Sequence, residues 1–160
     1  MRIDANDAIT LKAVIDADLA ALRRIDAALA ELDQVPLLGE RDWIAAAYYL
    51  HGAYCALENT FEQISRTFEN HVKDVSRWHQ ELLRKMFLDL TPLRPAVLPA
   101  DLQGDLNDLR GFRHVFRHGY GIDLDVERLQ SLVRRWRHMS PHVQRALSLF
   151  AEELSRAALL

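Results

Sequence analysis

One short segment of this sequence holds side chains suited to chemistry on a phosphate group. Arg113, His114, His118 and Tyr120 all lie between residues 106 and 123. Arginine is always charged and its planar guanidinium matches phosphate oxygens, whereas histidine gives and takes protons near neutral pH. An imidazole could deprotonate a ribose 2'-hydroxyl or protonate the leaving 5'-oxygen while the guanidinium stabilises the charged transition state, with no metal. Because one histidine can hardly act as both base and acid, a dimer that brings two copies together would complete such a site.

The residue spacing predicts that this segment is a two-faced helix. On a helix of about 3.6 residues per turn, the apolar face carries Leu102, Leu106, Leu109, Phe112 and Phe116. The polar face offers cations to the outside: Arg110, Arg113, His114, Arg117 and His118. The competing interpretation is a solvated basic face near a helix C-terminus, where cations favour the helix dipole.

Hydrophobic periodicity along the rest of the chain predicts an all-α, up-down helical bundle that forms one domain over residues 1–160. A hydrophobic share of 49%, with six Gly and five Pro, fits this class. We expect five to six helices with a long central second helix, at about 6–32, 40–70, 75–90, 100–118, 123 or 125 to 138, and 140–157. Ser140 and Pro141 are typical of an N-cap and first-turn pair, which predicts that a new, final helix begins there.

Three local features refine the prediction. The stretch from Trp43 to Tyr54 is apolar nearly all round, which predicts burial on more than one face, either inside the bundle or against a second copy. Three prolines between residues 92 and 99 exclude a regular helix there. Gly119 and Gly121 are expected to end the helix that carries the basic face.

Composition indicates the cellular compartment and limits the kinds of partner that the chain can bind. A net charge of −3 argues against a protein that coats nucleic acid by bulk charge. With Cys55 as the single cysteine, no intrachain disulfide can form, so a reducing cytoplasm fits best. The first ten residues do not resemble a signal peptide, and the longest apolar run, Ile44 to Leu50, is too short to cross a membrane.

The remaining polar clusters favour structural roles. His51, His71 and His79 lack metal-ligand spacing, so we expect a core or interface role for His51 and a surface or packing role for His79. No metal or cofactor is expected. Glu58 and Glu62 of the central helix could each pair with an arginine of the basic face, and Glu58 is the first candidate. Cys55 is expected to be packed. A second basic cluster is assigned to a helix end, with an extension of a phosphate-binding track as the less favoured use: Arg134, Arg135, Arg137 and His138.

The spacing Arg113-x4-His118-x-Tyr120 resembles the R-x4-H-x-Y motif of HepT-like toxins, within the HEPN group of small helical ribonucleases. His114 also matches, because that position in the family is usually polar. The segments YLHGAYCALENTFEQI (residues 49–64) and FRHVFRHGYGIDLD (residues 112–125) look like the family's central and motif helices. The resemblance covers about residue 40 to the end and leaves the N-terminal helix outside.

The resemblance implies a toxin of a toxin–antitoxin system that acts on RNA as a metal-independent endoribonuclease. Arg113 and His118 would be the catalytic pair, with His114, Arg110 and Arg117 in support. It also implies a homodimer with a composite active site. An MNT-type nucleotidyltransferase antitoxin would silence the toxin by adding AMP to Tyr120.

Two other functions are weighed against this one. The first is a non-catalytic dimeric binding module that holds a nucleotidyltransferase or a nucleotide through Arg110, Arg113 and Arg117. The second is a DNA-binding regulator, which the acidic net charge and the lack of a recognisable helix-turn-helix disfavour.

Overall fold

The computed structural model describes residues 1–32, 34–35, 38–69, 78–118 and 125–159, with His118 described in its backbone only. Within these ranges the chain forms α-helices and no strand, which confirms the predicted all-α bundle. The helices are α1 (Ala5–Leu32), α2 (Glu40–Glu69), α3 (Trp78–Met86), α4 (Gln103–His118) and α5 (Val126–Ala157). A short 3-10 turn, Ala100–Leu102, leads into α4.

The first helix packs along α2 and α5 through one continuous stripe. Its buried residues recur every three or four positions, or at twice that interval: Ala8, Leu11, Ile15, Leu19, Leu22 and Leu29. Polar bonds fix the direction of packing, because Asp18 accepts from Asn59 and Thr60 of α2, at 2.8 and 2.7 Å. Each fully buried leucine or isoleucine of this kind contributes roughly 1.5–3 kcal/mol relative to an exposed one.

Within one copy of the chain, the predicted burial of the Trp43–Tyr54 stretch inside the bundle is wrong for part of that stretch, and its burial against a second copy stays a prediction. Ala47, Leu50 and Tyr54 are buried, but Ile44 is 48% exposed and Tyr48 is 65% exposed. The buried residues face the rest of the bundle. The two exposed side chains form an apolar surface on the N-terminal half of α2.

The third helix is shorter than predicted and ends at Met86 instead of residue 90; its expected start at Val75 lies outside the described residues. The carbonyl of Met86 accepts from the backbone N–H groups of Val97 and Leu98, at 2.9 and 3.0 Å. Arg94 is fully buried and donates to the carbonyls of Lys85 and Leu88, at 3.0 and 3.2 Å. Because the loop satisfies carbonyls that would otherwise need another helical turn, the helix can stop there.

The fifth helix is continuous through Pro141, so the predicted break at Ser140-Pro141 is wrong. The carboxylate of Asp26 on α1 accepts from Trp136 Nε1, Ser140 Oγ and Gln144 Nε2, at 2.7, 2.7 and 2.6 Å. These bonds hold the turns before and after the proline against α1. Tertiary packing therefore overrides the local tendency of proline to interrupt a helix.

The start of α5 agrees with one of the two predicted start residues. The side chain of Asp125 accepts from the backbone N–H of Arg128 at 3.0 Å, which is the N-cap arrangement. The other candidate, Asp123, lies outside the described residues, as do Gly119 and Gly121, so the expected glycine stop of α4 is not described.

Candidate functional site

The fourth helix positions the basic residues, and its apolar stripe anchors it as predicted. Leu106 and Leu109 are fully buried and Leu102 and Phe112 nearly so. The ring of Phe116 stacks on that of Phe112 with 5.8 Å between centroids. The helix therefore cannot rotate about its axis without exposing this stripe, which sets the direction of its polar side chains.

Arg113 does not point to solvent as the helical spacing suggested. It is only 7% exposed, and its Nη2 donates to Glu58 Oε2 of α2 at 2.6 Å. Glu58, the acid expected to pair with this face, is 8% exposed. A charged pair at this depth is stable only because the two groups satisfy each other, since a buried charge left alone is costly. The Nε of Arg113 is buried and has no hydrogen-bond partner within the described ranges.

The same carboxylate holds a histidine from a third helix. Nδ1 of His79, the second residue of α3, donates to Glu58 Oε1 at 2.6 Å. The His79 ring also packs against Trp78, with 4.7 Å between centroids. His79 was expected to be a surface or packing residue, so sequence reasoning missed this contact. A histidine and a glutamate that lie 21 positions apart give no periodic signal for it.

The side chain of His51, a residue of α2, packs against α4 close to Arg113. Its ring centroid is 5.2 Å from that of Phe116, and Cys55 Sγ lies 3.8 Å from the ring nitrogens. Burial, Arg113 and Arg117 lower the pKa of His51, and Glu58 opposes this shift. The imidazole is therefore neutral near pH 7, as the core or interface role predicted for it requires. Cys55 is half-buried beside it.

Tyr54, one turn from Glu58 on α2, completes the buried end of the cluster. It is 1% exposed, and its pKa is raised by burial and by the nearby Glu58 carboxylate. Its phenol is therefore protonated at any physiological pH.

Three neighbours of Arg113 on α4 are more exposed than Arg113 itself. Arg117 and His114 are exposed and Arg110 is half-buried. Among the described residues, no acid forms an ion pair with Arg110 or Arg117. Arg110 Nε is also buried, and no residue that the structure describes bonds to it. Because Glu58 balances only one charge, this end of α4 keeps an excess of positive charge that suits an anionic ligand.

Two residues of the predicted site cannot be placed by side chain. His118 ends α4, which sets it five residues beyond Arg113 on the same helix, and its side chain lies outside the described residues. Tyr120 lies entirely outside them. In the described ranges, no group of three or more histidine, cysteine or acidic side chains could hold a metal ion.

The second basic cluster has structural partners. It lies in the middle of α5 and not at a helix end, so the interpretation as dipole-complementing residues is wrong. Arg135 bonds to Asp105 and Asp108 of α4, each at 2.5 Å. Arg137 donates to the carbonyl of Leu29 at 2.9 Å. These arginines tie α5 to α4 and α1.

The fold and this site define an all-helical protein whose fourth helix carries a buried arginine and a cationic end. Residues 45–154, more than half of the chain, match the HepT-like protein family, and the chain belongs to that family. This family is a HEPN-type ribonuclease group linked to toxin–antitoxin systems. No curated protein and no solved structure matches the chain.

The family match begins within α2 and leaves α1 outside, as the sequence resemblance did. None of the helices in the described ranges combines the length and the apolar character that crossing a membrane requires.

Proposed function

We propose that this chain is the toxin of a toxin–antitoxin system and a metal-independent endoribonuclease. The observation that carries the proposal is the placement of Arg113: the helix that bears Arg113 and His118 of the R-x4-H-x-Y spacing holds this arginine by a buried ion pair. Beside it, Arg110 and Arg117 form no ion pair with any acid in the part of the chain that the structure describes. Membership of the HepT-like family supports the same conclusion.

In the proposed reaction the RNA supplies its own nucleophile. A base removes the proton of a ribose 2'-hydroxyl, and the oxygen attacks the adjacent phosphorus. The bond from phosphorus to the 5'-oxygen breaks, and an acid returns a proton to that oxygen. The products are a 2',3'-cyclic phosphate and a free 5'-hydroxyl. His118 is the acid–base group, and Arg113 stabilises the extra negative charge of the transition state. His114, Arg110 and Arg117 hold the RNA backbone.

A second copy of the chain is proposed to complete the site. A single motif helix brings one proposed acid–base histidine, whereas the reaction uses a base and an acid. Exposed apolar side chains near this end of α4 support a dimer: Ile44 and Tyr48 on α2, and Val115 on α4, which is 45% exposed. Ile44, Tyr48 and His51 follow one another at steps of four and three, so they share one face of α2, and the His51 ring on that face lies 5.2 Å from the Phe116 ring of α4. The apolar surface therefore continues directly from the site.

The proposed antitoxin is an MNT-type nucleotidyltransferase that adds AMP to Tyr120. In the sequence, that tyrosine follows His118, the last residue of α4, by two positions. An added phosphate would neutralise nearby arginines and compete with the RNA backbone for them. Transfer of AMP from ATP to the wild-type protein, and its loss in Tyr120→Phe, is the measurement that tests this step.

The cleavage mechanism is tested with purified protein, RNA and an excess of EDTA. We expect the wild type to cut RNA, and His118→Ala and Arg113→Ala to lose at least about 10²-fold in rate. His142→Ala, which removes an exposed histidine on α5, is the matched control and should keep full activity. Cleavage that needs a divalent metal, or that survives His118→Ala, would refute the mechanism.

The burial of Arg113 also favours a second candidate, a non-catalytic dimeric module that binds a nucleotidyltransferase or a nucleotide. An arginine that is 7% exposed is placed as a structural arginine would be. This alternative predicts that no form of the protein cuts RNA, while Arg113→Ala weakens the complex with the nucleotidyltransferase. The EDTA assay and a pull-down with the partner together separate the two candidates.

A further inference from the structure

The carboxylate of Glu58 joins three helices at one point. Its Oε2 accepts from Arg113 of α4 and its Oε1 accepts from His79 of α3, both at 2.6 Å. The Glu58 side chain is 10% exposed and that of Arg113 is 9% exposed, whereas that of His79 is 37% exposed. The acid and the arginine are thus shielded from water, and the histidine closes the group at the surface.

Two bonds to different helices restrict the carboxylate more than one bond would. A carboxylate held through a single oxygen can still turn about its last side-chain bond, because that torsion is soft. With its second oxygen held by His79, the plane of the Glu58 carboxylate is set by α3 as well as α4. The guanidinium of Arg113 must then meet an acceptor of fixed position and direction.

We propose that Glu58 and His79 are positioning residues that orient the guanidinium of Arg113 for its part in RNA cleavage. The inference rests on the proposed function. Neither residue touches the substrate: Glu58 acts through Arg113, and His79 acts through Glu58. The bond to Glu58 engages Nη2 of the guanidinium, and Nε has no hydrogen-bond partner among the described residues.

The first test separates the rate of the chemical step from substrate binding. Glu58→Gln keeps the shape of the side chain but removes the charge that holds Arg113. We expect kcat to fall by about 10²-fold, the effect of a catalytic group misplaced by about 1 Å, with KM changed by less than threefold. An unchanged kcat in Glu58→Gln would overturn the inference.

A pair of substitutions at His79 tests its place in the arrangement. His79→Asn keeps an N–H donor close to the position of Nδ1, whereas His79→Leu removes it. We expect Asn to retain most of the wild-type kcat and Leu to lose at least tenfold. Equal losses in both variants would mean that the imidazole is needed for packing against Trp78 and not for the bond to Glu58, which would overturn its assigned role.

The chain offers a matched control on the same helix. Glu69 also places a buried carboxylate between two cations, Lys85 at 2.8 Å and the fully buried Arg94. Glu69→Gln should therefore cost comparable stability, since it breaks a similar buried group. It should leave kcat unchanged. A loss of kcat in Glu69→Gln equal to that in Glu58→Gln would show a general effect of destabilisation and would contradict a positioning role.

A measurement without RNA keeps this inference separate from the proposed function. The 15N-edited NMR signal of the Arg113 Nε–H group, assigned by its loss in Arg113→Lys, reports the surroundings of the guanidinium. We expect it to move in Glu58→Gln and in His79→Leu and to stay in place in Glu69→Gln. A wild-type protein that cuts no RNA would refute the proposed function alone. An Arg113 signal that does not move in Glu58→Gln would refute the positioning role, whether or not the protein cuts RNA.

Discussion

At the level of single residues, neighbours on other helices decide what each polar side chain can do. Arginine side chains are always charged, and burial against Glu58 fixes the position of the Arg113 guanidinium. Burial lowers the pKa of His51, and Arg113 and Arg117 lower it further because they disfavour another positive charge beside them. One cluster therefore holds a permanently charged arginine next to a histidine kept neutral.

This environment of His51 predicts a dependence of stability on pH. The pKa of His51 in the folded chain lies below its ordinary value of about 6.5. Below that value the unfolded chain binds more protons at this residue than the folded chain does, so acidification favours unfolding. The stabilising contribution is complete above about pH 6.5 and is lost as the pH falls toward the lowered pKa.

Urea denaturation at pH 7.5 and pH 5.5 measures this effect. His51→Gln, which cannot titrate, should lose less free energy of unfolding between the two values than the wild type loses. His142→Gln, at an exposed position of α5, should behave as the wild type does. Identical pH dependence in His51→Gln and the wild type would show that His51 does not contribute.

At the level of the helix, α5 shows local propensity yielding to tertiary contacts. Pro141 lacks the N–H that would bond to the carbonyl of Arg137, yet the helix runs from Val126 to Ala157. Asp26 of α1 binds the residues before and after the proline, as the bonds to Trp136 and Gln144 show. The helix is therefore continuous at the cost of one missing backbone hydrogen bond.

Replacement of that proline should stabilise the protein. Pro141 is exposed, so Pro141→Ala opens no cavity. We expect the free energy of unfolding to rise by about 2 kcal/mol, the difference between the roughly 3 kcal/mol cost of an internal proline and the roughly 1 kcal/mol by which proline restricts the unfolded chain. Pro99→Ala, just before the 3-10 turn, should give no such gain. Chemical denaturation of the two variants decides, and a loss of stability in Pro141→Ala would contradict this account.

At the level of the whole molecule, two apolar residues of equal exposure allow the proposed dimer surface to be compared with ordinary surface. Ile44 and Leu149 are each 48% exposed, but Ile44 shares a face of α2 with His51, whose ring lies against Phe116 of α4, and Leu149 lies on α5. If two copies meet near the site, a charge at Ile44 is buried on association and opposes it. A charge at Leu149 stays in water.

Light scattering after size-exclusion chromatography tests the dimer. The wild type and Leu149→Glu should elute at about twice the chain mass of 18.4 kDa, and Ile44→Glu should shift to that single-chain mass. RNA cleavage in EDTA should fall with the dimer. A wild type of single-chain mass would show that no dimer forms. An Ile44→Glu variant that remains dimeric would place the interface elsewhere.

The amino-acid sequence by itself determined the helices and the apolar stripe that anchors α4. The bounds predicted for α1 and α2 agree with the structure to within a residue where it describes them, because hydrophobic periodicity is a property of neighbouring residues. The same local order carried the resemblance to the HepT-like family, and the family match confirmed membership of that family. Even Glu58 could be named as a partner, since few acids on α2 lie opposite the basic face.

Only the tertiary structure decided which side chains meet. Arg113 and Glu58 are 55 positions apart, and the sequence spacing alone placed Arg113 on an outward face. The contact of His79 with Glu58, the end of α3 at Met86 and the passage of α5 through Pro141 depend on groups from other elements. The physical reason is the same in each case: burial and long-range hydrogen bonds are set by how helices pack, and helical periodicity does not encode them.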